Sequence, residues 1–127
     1  MYKICTYNGQ KSASFYIQSK GNYAGRPLRK PIPNCFAVYS ENPFAFEIVY
    51  CLFKAKTFEY YIIGSVIPFI RIGEVKKILN QYLDKEYCTK HLQTVQAIDK
   101  LLDIKKDEIK NLMALQCGFA RQTLNNS

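Results

Sequence analysis

The chain has 127 residues, 48% of them hydrophobic and 22% charged, with a formal net charge of +8. That length suits one compact domain, or a small domain with one long helix, and eight Phe and ten Tyr supply a core. The aromatic content speaks against disorder, and a multidomain enzyme, a collagen-like fibre and a low-complexity tail are excluded.

The charge is unevenly placed. Residues 1–40 carry Lys3, Lys11, Lys20, Arg26, Arg29 and Lys30 and no acid, giving +6; residues 41–127 carry twelve bases and ten acids, giving +2. A basic segment without carboxylates attracts polyanions, nucleic-acid phosphates first among them. The plainer alternative is a solvated surface that happens to hold few acids.

Tyr2 to Ile4 and Phe15 to Ile17 are rich in aromatic and β-branched residues and read as strands, with Asn8-Gly9 between them as a tight-hairpin signal. Cys35 to Tyr39 reads as a third strand with Phe36 and Val38 on one face. Between them, Ser19 to Asn34 holds Gly21, Gly25, Pro27, Pro31 and Pro33. Prolines at that density deny a ladder its donors, so the segment is an ordered loop or a sheet edge. Lys20, Arg26, Arg29 and Lys30 all sit on it.

Asn42 as N-cap and Pro43 as first helical residue open a helix. Phe44, Ile48 and Leu52 recur at spacing four, which predicts an amphipathic helix to about Tyr60, closed by Gly64. Ser65 to Ile70, broken by Pro68, reads as an edge strand or extended packing segment. Gly73-Glu74 opens a short helix with Val75, Ile78, Leu79 and Leu83 inward.

From Glu86 to Leu124 there is no proline and a single glycine, Gly118. With Val95 at heptad position a, the a/d seam reads Val95, Ile98, Leu102, Lys105, Ile109, Leu112, Gln116 and Phe119. Such a helix extends roughly 55 Å at about 1.5 Å per residue. Its apolar residues Val95, Ile98, Leu102, Ile109, Leu112 and Phe119 need cover: the chain's own domain, a second copy forming a homodimer, or a larger partner. The expected fold class is α+β, a small β-rich domain with short helices over residues 1–85 and a long helix over 86–127.

Five cysteines, at 5, 35, 51, 88 and 117, are odd in number and widely spaced, so no disulfide framework is expected and reduced thiols are. Cys88 and His91 make a lone Cys-x-x-His, two ligands where structural zinc takes four. No metal or other cofactor is expected. The longest apolar tract, Tyr60 to Ile70, is broken by Gly64, Ser65 and Pro68 and is too short to span a bilayer; a soluble, cytoplasmic protein without membrane contact is expected. No phosphate-binding glycine loop, nucleophile elbow or acid–base pair of carboxylates is present, so the expected function is non-catalytic.

Several segments, taken in order, resemble a known family. Tyr61-Ile-Ile-Gly-Ser-Val-Ile-Pro-Phe-Ile70, after a helix and before Arg71-Ile-Gly-Glu-Val-Lys-Lys-Ile78, is similar to the Gly-x-x-Ile-Pro-x-Ile stretch near the end of a target recognition domain in type I restriction–modification specificity subunits. Gly21-Asn-Tyr-Ala-Gly-Arg-Pro-Leu28 and Asn34-Cys-Phe-Ala-Val38 look like that family's glycine loop and following strand. Ala97-Ile-Asp-Lys-Leu-Leu102 and Glu108-Ile-Lys-Asn-Leu-Met-Ala-Leu-Gln-Cys-Gly-Phe119 look like its long helix, and the order matches over residues 15–124. The resemblance covers part of one recognition domain plus one helix. It implies that the loop bearing Lys20, Asn22, Tyr23, Arg26, Arg29 and Lys30 faces DNA, that Gly64 to Pro68 is scaffold, and that the C-terminal helix is the assembly surface. A protein–protein adaptor that keeps this scaffold without binding DNA is the alternative.

Overall fold

The centre of a sheet goes to the strand that is apolar on both faces, and here that strand is the third one predicted. The computed structural model describes residues 1–9 and 12–126. The strands are β1 (Tyr2–Thr6), β2 (Phe15–Gln18), β3 (Pro27–Leu28) and β4 (Cys35–Ser40); the helices are α1 (Ala45–Lys54), α2 (Ile72–Tyr82) and α3 (Thr89–Asn125), with a 3₁₀ turn at Glu59–Tyr61. The strands form one antiparallel sheet in the order β1-β4-β2-β3. The fold class is therefore α+β.

The predicted β1–β2 hairpin does not form, because β4 lies between the two strands. Every residue of β4 from Cys35 to Val38 is buried, so it needs a neighbour on each side and cover on each face. β1, carrying the exposed Lys3 and Thr6 in its ladder, suits an edge. Gly9 does take a positive φ of 92°, the glycine conformation of a turn. Gln10 and Lys11, which follow it in sequence, lie outside the described residues.

Register assigns the two faces. Ile4 opposes Val38, Val38 opposes Phe15, and Phe36 opposes Ile17, so these side chains share one face, with Phe36 and Val38 together as expected. α2 lies against β1 and α1 against β3; Phe46 of α1 meets Phe15 edge-on, ring centroids 5.7 Å apart. Ile48, Val49, Leu52, Val75, Ile78, Leu79 and Leu83 are all buried. Each contributes about 1.5–3 kcal/mol of hydrophobic stabilisation. The opposite face holds a smaller cluster of Tyr16, Cys35 and Ala37, covered by Tyr7, Ala13, Leu28 and Ile32.

α1 is shorter than its apolar spacing predicts. Asn42 stands before the helix rather than at its cap: its Oδ1 accepts the Phe44 N–H at 2.9 Å and its carbonyl accepts the Ala45 N–H at 3.1 Å. The helix stops at Lys54, well before Gly64. Lys56 takes the left-handed conformation (φ 62°), donating its N–H to the Phe53 carbonyl while Thr57 donates to that of Leu52. That is a Schellman closure made on a lysine, so composition gave no signal of it.

Gly64 closes something else. At φ 105° it turns the chain so that Ile63 and Phe69 exchange backbone hydrogen bonds of 2.9 and 2.8 Å. A Cβ at Gly64 would lie 2.5 Å from the Ile67 carbonyl oxygen. The returning segment docks on the basic loop, with the Gly21 N–H on the Pro68 carbonyl and the Ile70 N–H on that of Ser19. Of the expected extended segment only residues 68–70 pack, while residues 65–67 form an exposed bend with Val66 and Ile67 in solvent.

By contact the chain divides into two units, Met1–Cys88 and Thr89–Ser127. α3 is 37 residues long, and among the described residues no helix is long and apolar enough to cross a membrane.

Candidate functional site

The loop from Ser19 to Asn34 is held at both ends. The Ser19 N–H and Oγ both donate to the Asn34 carbonyl, at 3.0 and 2.6 Å, and the Gly25 N–H donates to that of Gln18 at 2.7 Å. Gly25 has φ 95°, and a Cβ there would meet the buried Phe58 ring at 2.9 Å. Backbone ordered in this way presents side chains with little entropy left to lose on binding.

The six residues of the expected DNA surface divide into two groups. Arg26 and Arg29 are engaged with the body. The Arg26 guanidinium donates to Gln18 Oε1 at 3.1 Å and lies 4.8 Å from the centroid of the Tyr23 ring. Arg29 lies 3.6 Å from the centroid of the Phe46 ring and donates to Glu47 Oε1 at 3.3 Å. Glu47 is 4% exposed, so Arg29 answers a buried carboxylate. Lys20, Asn22, Tyr23 and Lys30 are exposed, and the Arg29 side chain, though paired, is 61% exposed as well. Of the other early cations, Lys3 is exposed on β1 and Lys11 lies outside the described residues.

Asn22 and Tyr23 line a cavity of about 570 Å³ together with Phe53, Lys54, Lys56 and Phe58. Sequence reading missed this contribution from the end of α1; its only signal was Lys54 and Lys56 just past the apolar stripe. Among the described residues no carboxylate pairs with Lys20, Lys30, Lys54 or Lys56. Tyr23 shares this lining with Lys54, Lys56 and the carboxylate of Glu59; its ring can stack on a base, and the two ammonium groups can meet phosphates.

Two of the cysteines sit where the protonated thiol is favoured. Burial pushes the Cys35 thiol up, and burial followed by the charge of Glu47 does the same to Cys51. Activated cysteines need the opposite environment. Cys88, Cys117 and His91 are exposed, all five cysteines are free thiols, and among the described residues no group of three His, Cys, Asp or Glu could hold a metal.

In the second unit, α3 displays an apolar face. Ile98, Leu102, Ile109, Leu112 and Phe119 of the predicted seam are 42–65% exposed, and Val95 is half-buried. Leu101, Met113 and Leu115, at the flanking g and e positions, widen that face and are exposed as well. A soluble surface rarely leaves so many large apolar side chains contiguous unless something covers them.

A family model matches residues 4–122, a stretch that takes in the sheet, the loop and most of α3. The chain belongs to this family of unknown function (DUF6943). No curated protein and no solved structure matches it. Since the family match runs through both units, the apolar face of α3 lies within the stretch that defines the family.

Proposed function

We propose that the chain is a non-catalytic assembly module of the cytoplasm, joined to a second chain through the apolar face of α3. The observation that carries this reading is the run of large apolar side chains from Ile98 to Phe119, each more than two-fifths exposed. An isolated helix gains little from propensity alone, so a 37-residue helix with such a face draws its stability from a partner.

DNA contact by the body is the second reading. It is favoured by Lys54 and Lys56, which line one cavity with the exposed Asn22 and Tyr23, and by the exposed Lys20 and Lys30 of the same loop. The resemblance to type I restriction–modification specificity subunits supports duplex DNA as the polyanion and a shared division of labour, with the body reading and the helix assembling.

Sedimentation tests the assembly reading. Wild type is expected to sediment above its chain mass of 14.7 kDa, and Leu102→Lys with Ile109→Lys is expected to return it to that mass while circular dichroism keeps the body's signal. A wild-type chain that sediments as a monomer at every concentration contradicts it.

A further inference from the structure

We infer that the partner of α3 is α3 of a second copy, lying antiparallel to it and centred on Asp107. This rests on the assembly reading above and adds the partner, the direction and the register.

The seam contains two polar residues, Lys105 and Gln116, and their positions discriminate between directions. In a parallel, in-register pair each a or d residue faces its own copy, so Lys105 meets Lys105 and Gln116 meets Gln116 inside the seam. Two ammonium groups are then desolvated against each other. Reversing one helix about Asp107 pairs residues equidistant from that point: Val95 with Phe119, Ile98 with Gln116, Leu102 with Leu112, and Lys105 with Ile109. Every layer then holds at least one apolar side chain, and no polar residue meets its own kind. The Lys105 stem can pack on Ile109 while its ammonium reaches the rim.

The flanks point the same way. Lys105 Nζ already lies 3.3 Å from Glu108 Oε2 within one helix. In the reversed pair position g faces position g, so the two Glu108 carboxylates approach with a Lys105 beside each, and two opposite-charge pairs close into one group of four. On that same flank Leu101 faces Leu115, which brings under cover two exposed leucines that the a/d seam omits. The parallel alternative sets Leu101 against Lys106, Glu108 against Met113 and Leu115 against Ala120, with no opposite-charge pair. Lys106 meets its mate on the other flank of the reversed pair, an exposed repulsion that salt screens. The paired stretch from Val95 to Phe119 is about 36 Å long, at about 1.5 Å per residue.

The full-length chain with Cys88→Ser and Cys117→Ser provides a background for cross-linking. Two differently tagged versions, Leu102→Cys and Leu112→Cys, are mixed and oxidised. Antiparallel pairing gives the mixed product; like-with-like products overturn the inference yet leave assembly through α3 standing. A second measurement leaves the seam untouched: a spin label on native Cys117, with Cys88→Ser. Antiparallel helices place the two labels about 30 Å apart along the axis, twenty residues at about 1.5 Å each, whereas parallel helices place them at one level. Loss of the long distance overturns the inference, and a chain that stays monomeric overturns it together with the assembly reading.

Discussion

The body and the long helix treat apolar side chains in opposite ways. Between Met1 and Cys88 the large aliphatics of β2, β4, α1 and α2 are almost all hidden: Ile17, Val38, Val49, Val75 and Leu79 have no exposure. Along α3 only Leu92 is buried, and leucines, isoleucines and a phenylalanine stand in solvent. Apart from Tyr60, Ile63, Val66 and Ile67 around the Gly64 turn, which are exposed, the body spends its hydrophobic effect on folding, whereas the helix keeps it available for association. The cations divide by the same logic. Arg29 serves a buried carboxylate and Arg26 a loop, while among the described residues no carboxylate pairs with Lys20, Lys30, Lys54 or Lys56, Lys54 lying 5.7 Å from the centroid of the Tyr50 ring.

Perturbing each region separately sharpens the contrast. The largest effect is expected on the helix. Leu102→Lys with Ile109→Lys removes four apolar side chains per pair of chains and weakens association by at least about 10³-fold, with urea stability of the body unchanged. Sedimentation equilibrium reads it, and equal loss of body stability breaks the comparison. Next comes a crowded backbone position in the basic loop: Gly25→Ala forces a Cβ onto Phe58 at a positive φ and lowers stability by about 2–4 kcal/mol in urea titration. Association measured on the folded fraction stays unchanged.

Smaller effects separate structural from free cations. Arg29→Ala leaves Glu47 buried beside Phe46 without its guanidinium and lowers urea stability by about 1–3 kcal/mol. Lys20→Ala with Lys30→Ala leaves stability within about 0.5 kcal/mol. If DNA binds here, that pair reduces the slope of log affinity against log salt by up to about 2. An Arg29 variant as stable as wild type contradicts the assignment of that guanidinium to the body. The smallest effect concerns pH. Burial raises the Cys35 thiol, and burial followed by neighbouring Tyr7 and Tyr39 raises the Tyr16 hydroxyl, so the native state holds these protons longer than the unfolded chain does. Stability from both groups is full below pH 9.0 and falls as pH rises past the ordinary values of 9.0 and 10.0. A urea midpoint that rises over that range contradicts the sign.

Legibility in the sequence followed the reach of the interactions. α2 and α3 were readable because their apolar periodicity is local, down to Val75, Ile78, Leu79 and Leu83 as the inward residues. Strand positions were readable for the same reason. Strand order was not: Asn8-Gly9 signals a turn, yet nothing near it reveals that β4, apolar on both faces, takes the place beside β1. The end of α1 was missed because its left-handed residue is Lys56 rather than glycine. Loop cations were visible as a cluster, but their partition required knowing that Glu47 and Phe46 lie under Arg29. The additional lysines of the site, Lys54 and Lys56, reach it only through the fold.

Hydrogen exchange along α3 at several protein concentrations tests the central claim most directly. A helix whose apolar face is covered by another chain is protected in proportion to the population of the assembly. The account predicts that amides from Val95 to Phe119 exchange slowly in concentrated solution and quickly on dilution, while those of β2 and β4 keep the same rates. Exchange in α3 that is fast, or slow, independently of concentration would contradict it.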